Sequence, residues 1–388
     1  MTPEAPRLFT PAFVALSLAD FAYFTAAGLM IPVTPLFAAG PLGADKVWVG
    51  ISVGAFSVSA LVLRPFVGRA SDRRGRRPFL IGGALLFAVA TALHALTNDL
   101  AVLIGLRLLL GVAEAAFFVA GFAALADLAP PQRAGEALSF NSLSLYMGIA
   151  LGPLVGERLL DIGGFGLAWV GGALLALTAA ILATRIPETA DLGADPAPVP
   201  LIHRGAALPA LGLFTGVAAM AGFFAFVALY AEDLGIGGSS VVLLAFGLIV
   251  VGCRVVFARL PDRVPPFGLA AGALLLIGVG LLIVSAVQTF IGLMVGASVM
   301  AVGVAFTTPA FFAAIAARVA RSERGAAFGT VSIFLDLAFG GGPILVGLIA
   351  AAAGIPAGFA AAAGIATVGA AGTALAAVSA RRALRPTP

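Results

Sequence analysis

Four ionisable side chains, Asp20, Arg107, Glu114 and Asp336, stand inside long apolar runs. Charge in such surroundings is costly and marks a place where an ion, a proton or a charged ligand is handled, with a partner to be named. Arg107, Gly111 and Glu114 fall at intervals of four and seven residues, so they share one helical face. At about 1.5 Å per residue, Asp20 sits about 15 Å in from the start of its run, and Glu114 reaches nearly the same depth in its own. Two carboxylates at one depth hinder each other's ionisation, and burial disfavours their charge further, while Arg107 opposes both effects, a balance from which a proton can be taken up and released. An Asp20–Arg107 ion pair that only braces neighbouring helices fits the same residues, and the sequence leaves both readings open. Asp336, about eleven residues into its run, is placed either to meet a cationic ligand or a second proton, or to be hydrogen-bonded within a bundle. Groupings for covalent or metal chemistry are not found. His94 and His203 are far apart in the chain, Cys253 stands alone, and the phosphate-cradling pattern G-x-x-x-x-G-K-[ST] has no match, Lys46 being the sole lysine.

The element that must position these groups is a bundle in a bilayer. With 61% hydrophobic and 10% charged residues and a mean hydropathy of +1.12, there is more apolar surface than one soluble core of 388 residues can hide. A span takes about 20 apolar residues. Reading from one charge cluster to the next gives twelve, near 11–37, 48–67, 78–96, 100–124, 137–160, 166–183, 206–231, 239–258, 267–287, 289–315, 325–350 and 357–380. Each is too long and too uniformly apolar for an alternating barrel strand, which leaves the helix. Basic residues fall on one side: Arg7, the Arg64 to Arg77 cluster, Arg133, Arg185, Arg204, Arg259, Arg263, Arg318, Arg321, Arg324 and Arg381 to Arg385, with Lys46 and Arg158 opposite. Both termini are therefore expected in the cytoplasm, on an integral protein of the plasma (inner) membrane. The net charge of +4 then reflects topology and anionic headgroups, not nucleic acid. Met1 to Pro11 is read as carrying no removable signal peptide.

The chain repeats itself. Arg64, Arg69, Asp72 and Arg73 recur 190 residues later as Arg254, Arg259, Asp262 and Arg263, and Gly152-Pro153 recurs as Gly342-Pro343. Between the copies, the polar, Pro- and Asp-rich stretch from Arg185 to Arg204 lacks helical periodicity and reads as a linker. The expected organisation is an amino-terminal six-helix bundle over 1–185, a cytoplasmic linker over 186–204 and a carboxy-terminal six-helix bundle over 205–388. Buried charge is unequal between them: the counterparts of Glu114 and Arg107 are Phe306 and Val299.

GRASDRRGRR, Gly68 to Arg77, fits G-x-x-x-D-R-x-G-R-R, the signature of the loop after the second helix in the major facilitator superfamily. The chain resembles that family from end to end. The resemblance implies an all-α membrane protein of twelve transmembrane helices in two pseudo-symmetric halves, with the substrate site between them near the midplane. It also implies that Asp72 docks on the start of the eleventh helix near Gly325, favoured by the helix dipole, and latches one state. LRLLLGVAEAAFF, Leu106 to Phe118, resembles the family's fourth-helix motif. In GIALGPLVGE, Gly148 to Glu157, small residues let helices pack backbone to backbone and Pro153 bends the chain; the pattern resembles that of the proton-driven exporters. GLMIPVTPLF, Gly28 to Phe37, and FVALYAEDLG, Phe226 to Gly235, resemble helix ends of the drug and proton antiporters. One departure stands out: the second loop is ARLPDRVPP, without the glycines.

The function so implied is a proton-coupled secondary transporter that exports an apolar or amphipathic small molecule, a drug or metabolite, by alternating access. Asp20, Arg107 and Glu114 are its expected proton-coupling residues. Tyr23, Phe24, Phe118, Asn141, Tyr146, Phe224, Tyr230, Phe306 and Asp336 are its expected cavity. Gly68, Asp72, Arg73, Gly75, Arg76, Gly148, Gly152, Pro153 and Gly156 form its conformational motifs. The expected partners are a small-molecule substrate, protons and the lipid bilayer, with no nucleic acid, no metal and no cofactor, the chain acting as a monomer and not as an enzyme. An importer or facilitator of a sugar or organic acid on the same fold, and a non-transporting scaffold or receptor, are the alternatives.

Overall fold

The computed structural model describes residues 8–130, 133–190, 203–319 and 323–383. Most of the expected linker lies outside the described residues, as do Arg7, Arg321 and Arg385. Among the described residues the secondary structure is helical: α1 (Pro11–Ala39), α2 (Lys46–Arg74), α3 (Arg77–Leu93), α4 (Leu100–Leu128), α5 (Ala134–Ala183), α6 (Arg204–Asp233), α7 (Ser240–Val256), α8 (Leu260–Arg263), α9 (Pro266–Ala286), α10 (Phe290–Ala316), α11 (Arg324–Ala353) and α12 (Ile355–Ala383). A chain this apolar must satisfy its backbone polar groups within each segment, and the helix does so.

Ten of these stretches are long and apolar enough to cross a membrane. Two differences from the expected spans have local causes. The 50-residue α5 leaves helical geometry at Gly163 (φ −146°, ψ 20°) and Gly164 (φ 68°, ψ −169°), the latter a conformation that glycine adopts at little cost. The break falls between the fifth and sixth expected spans. The eighth expected span, 239–258, is shortened to the 17 residues of α7, because the backbone departs from the helix at Phe257 (φ −109°, ψ 30°).

Polar side chains cap three of the helix starts. Asp45 accepts from the backbone N–H groups of Val47 and Trp48 at 2.9 and 3.0 Å before α2. Asp99 accepts from Ala101 and Val102 at 2.8 and 3.1 Å before α4, and Thr289 from Gly292 at 3.1 Å before α10. Asp99 and Thr289 stand 190 residues apart, as do the first residues of α5 and α11, Ala134 and Arg324. The sequence repeat is thus also a repeat of helix register.

The chain forms two compact units, one of Met1–Phe37 and Ala55–Ala197, the other of Ala38–Gly54 and Pro198–Pro388. In the first, α3 packs on α4 and α5, and α1 lies along the glycine motif of α5. A Cβ at Gly148 would come within 2.8 Å of the Thr25 nitrogen, and one at Gly156 within 2.9 Å of the Leu29 oxygen. In the second, α9 lies against α10 and α12, and α6 against α11 and α12. There Gly342, the counterpart of Gly152, abuts the backbone of Ala218 on α6. Lipid offers no hydrophobic drive between helices, so van der Waals packing of small residues does this work.

Candidate functional site

In the first unit, α2 and α4 cross so closely that a Cβ on Gly111 would strike the carbonyl of Phe56. Ser59 sits at the same crossing and donates its hydroxyl to the Leu108 carbonyl at 2.6 Å. The helices run parallel through it: Phe56 lies beneath Arg107, and, further along both, Arg64 reaches Glu114. The Arg64 and Glu114 side chains approach to 3.6 Å and are 14% and 23% exposed. The Arg64 guanidinium also lies over the Phe118 ring at 4.7 Å, one turn beyond Glu114. Arg107, two turns earlier on α4, is buried. Its Nη1 is 3.7 Å from Met30 Sδ of α1, and its guanidinium lies 5.1 Å from the Phe56 ring centre.

Asp20 is buried elsewhere in the unit. Its carboxylate is hydrogen-bonded by the Asn141 side chain of α5, and on α4 it faces Gly121, where a Cβ would stand 3.8 Å from Oδ1. Gly121 is seven residues beyond Glu114, about 10 Å along the helix. The expected common depth of Asp20 and Glu114 is therefore corrected. An Asp20–Arg107 ion pair is not formed either, because Arg107 is level with Met30, ten residues further along α1 than Asp20. Arg64, expected in the cytoplasmic basic cluster, lies instead within α2, which continues to Arg74, with its side chain turned to Glu114.

The expected cavity residues divide. Tyr23 is fully buried and stacked on Phe117, with ring centres 4.0 Å apart. Tyr230 is equally buried and donates its hydroxyl to the Val284 carbonyl at 2.9 Å. Both pack the interiors of their own units in this structure. Phe223, Phe226 and Phe311 are core residues as well. Phe24 and Phe118 meet edge to face at 6.4 Å, and Phe118 continues to Phe122 at 4.6 Å, so these rings lie beside the Arg64–Glu114 pair. In the second unit Phe224 packs on Phe246 at 5.2 Å, Phe306 on Phe257 at 6.3 Å, and Asp336 is buried on α11. Tyr146 is half-buried on α5.

The loop signature builds a tie among the helix ends of the first unit. Arg76 forms an ion pair with Asp127 at the end of α4, donates to the Ala123 carbonyl at 2.8 Å, and lies 3.5 Å from Asp72. Gly75 has φ 98° and leaves room where a Cβ would meet the carboxyl of Glu188. Glu188 accepts from the backbone N–H of Arg76 at 2.7 Å and of Arg77 at 3.2 Å, at the start of α3. Burial opposes its charge, but the N–H groups of Ala190, Arg76, Arg77 and Thr189 outweigh that and hold the carboxyl below its usual range. Neither Asp127 nor Glu188 was singled out from sequence. Among the described residues no group of three or more His, Cys, Asp or Glu side chains is placed to hold a metal.

The Major Facilitator Superfamily family model matches residues 16–291. An uncharacterized MFS-type transporter of Salmonella typhimurium is 28% identical over 347 residues, covering 87% of this chain and 89% of that protein. One of Burkholderia mallei is 28% identical over 380 residues, covering 91% and 89%. Among solved structures, a bacterial homolog of the human lysosomal transporter Spinster, inward-facing and unoccupied, superposes with a TM-score of 0.80 at 14% identity, covering 99% of this chain and 100% of that one. The human organic anion transporter MFSD10 gives 0.72 at 18% identity, covering 95% and 100%. These likenesses extend to the whole bundle, and with the family match they make the chain an integral membrane transporter, not an enzyme: it belongs to the Major Facilitator Superfamily.

Proposed function

We propose that this transporter exports apolar or amphipathic small molecules in exchange for protons, by alternating access. The observation that carries the reading is the Arg64–Glu114 pair, held beside Phe24, Phe118 and Phe122. A proton on Glu114 cancels the attraction and frees the guanidinium, which gives one site two charge states that a conformational cycle can use. Asp20 with Asn141 forms a second proton-accepting position on the same unit, and Arg107 supplies a fixed positive charge between Met30 and Phe56. In this reading the two arms of α5 count as separate spans and α7 as another. Twelve spans then form two six-helix halves, 1–185 and 205–388, joined by a cytoplasmic linker over 186–204. The chain works as a monomer in the inner membrane with both termini in the cytoplasm.

The test is transport in liposomes under an imposed pH gradient, with lipophilic cations, neutral antibiotics and sugars offered in turn. Accumulation of an amphipathic compound coupled to proton movement supports export. Uptake of a sugar with no proton flux would replace it with a facilitator. A second reading concerns substrate charge. Arg64 and Arg107 are both held inside the first unit, and the structurally similar MFSD10 is an organic anion transporter. An amphipathic carboxylate added to the same screen separates an anion from a cation exporter.

A further inference from the structure

The corner between α7 and α9 is the copy of the loop signature that lost its glycines but kept the counterparts of Arg69 and Arg73, as Arg259 and Arg263. It contains a pocket of about 280 Å³ whose lining includes Val255, Val256, Phe257, Arg259, Leu260 and Arg263. Val255, Val256 and Phe257 are 59%, 72% and 50% exposed, at the end of an apolar helix and therefore toward lipid. Arg259 and Arg263 are exposed too, and among the described residues neither guanidinium has an ion-pair or hydrogen-bond partner. A third cation, Arg318, is held at 4.2 Å over the ring of Phe267, which stands at the start of α9, four residues after Arg263 in the chain. The side chain of Asp262, between the two arginines in sequence, lies outside the described residues.

Two exposed guanidinium forks beside exposed aliphatic surface match a ligand with a phosphate at one end and hydrocarbon at the other. Guanidinium binds phosphate bidentately, and basic pockets at the cytoplasmic ends of membrane helices take anionic headgroups. Inorganic phosphate would use the arginines but gain nothing from Val255, Val256 and Phe257. We propose that this corner binds the headgroup of an anionic phospholipid, with Arg259 and Arg263 on the phosphate and Val255, Val256 and Phe257 along the acyl chains. The site is independent of proton coupling and of the direction of transport.

Native mass spectrometry of the delipidated full chain tests it, with phosphatidylglycerol or phosphatidylcholine added back. The wild type is expected to retain phosphatidylglycerol at least about tenfold better than phosphatidylcholine. Arg259→Gln/Arg263→Gln should abolish that preference, and Arg259→Lys/Arg263→Lys should keep part of it. Arg185→Gln, an exposed arginine of the first unit, should leave it intact. Millimolar inorganic phosphate should not displace the lipid. The Lys variant keeps the reading secure if the Gln variant fails to elute as a folded protein. An equal preference in the wild type and the double Gln variant, an equal loss on Arg185→Gln, or displacement by phosphate would each overturn the proposal, the last in favour of a free-anion site.

Discussion

Arg64 of α2 and Glu114 of α4 stand 3.6 Å apart inside the first unit, level with each other because Ser59 and Gly111 bring the two helices together just before them. A partly buried ion pair holds only while both partners are charged, and breaking one side leaves the other uncompensated. Phe118 lies under the guanidinium at 4.7 Å and offers it a resting place when Glu114 is neutral. In the proposed cycle the pair would act as a local two-state element, and the first prediction tests that role.

Glu114→Gln should lower gradient-driven accumulation by about a hundredfold, on the scale of an essential proton-transfer group, while substrate binding persists. Arg64→Gln leaves a carboxylate in an apolar interior, and should cost about 1–3 kcal/mol of stability as well as transport. Arg64→Lys keeps the charge and should recover most of the stability. Thermal unfolding in detergent and uptake in liposomes read the two effects separately. Full uphill transport by Glu114→Gln would move coupling away from this pair.

Asp20 of α1 faces α4 at Gly121, whereas Glu114 of α4 lies seven residues earlier beside Arg64, so they should act as separate sites. The stability effects of Asp20→Asn and Glu114→Gln are expected to add in the double variant to within about 0.5 kcal/mol. Asn141→Leu should perturb stability in the wild type more than in an Asp20→Leu background, since it strips the carboxylate of its amide donor. A coupling above about 1 kcal/mol between Asp20 and Glu114 would show one shared site instead.

Gly111→Ala places a methyl group against the Phe56 carbonyl, which cannot give way as a flexible side chain can. Overpacking of this kind costs about 1–3 kcal/mol. Here it should also force α2 from α4 and lengthen the Arg64–Glu114 approach, so transport should fall further than stability alone explains. Gly105→Ala, on the same helix with open space at its Cβ, is the control and should be close to neutral. Equal behaviour of the two variants would remove Gly111 as the positioning element.

Long apolar runs, an interruption between 160 and 166, the repeat offset and the glycine face of α5 were all legible in the sequence, because each is a local pattern; that the interruption turns at Gly163 and Gly164 was not. Arg64 was not. It lies four residues before the loop signature, and only the continuation of α2 to Arg74 and its crossing at Ser59 put it inside the bundle. Depth counted from uncertain span ends placed Asp20 level with Glu114, and contacts within the fold set it opposite Gly121. Glu188 is 112 residues from Arg76, and no spacing rule links a carboxylate to a helix start at that distance.

Glu188 gives the pH prediction. Its carboxyl, at the edge of the linker, is held below the usual glutamate value of 4.5 by backbone N–H groups that burial does not outweigh. A group whose folded value is depressed stabilises the folded state above its unfolded value, and that contribution is lost as pH falls through the folded value. Glu188→Gln should therefore melt below the wild type at pH 7, with the start of α3 losing the charged acceptor for Arg76 and Arg77. The gap should persist down to about pH 5 and close progressively below the ordinary glutamate value, as the wild-type carboxyl itself becomes neutral. Arg133→Gln breaks the exposed pair with Glu136, whose N–O distance is 2.7 Å, and should change melting little at any pH. Unfolding curves of the three proteins from pH 7 to pH 3 decide the matter: a Glu188→Gln gap that stays constant through the acid range would mean that Glu188 acts by packing and not by its charge.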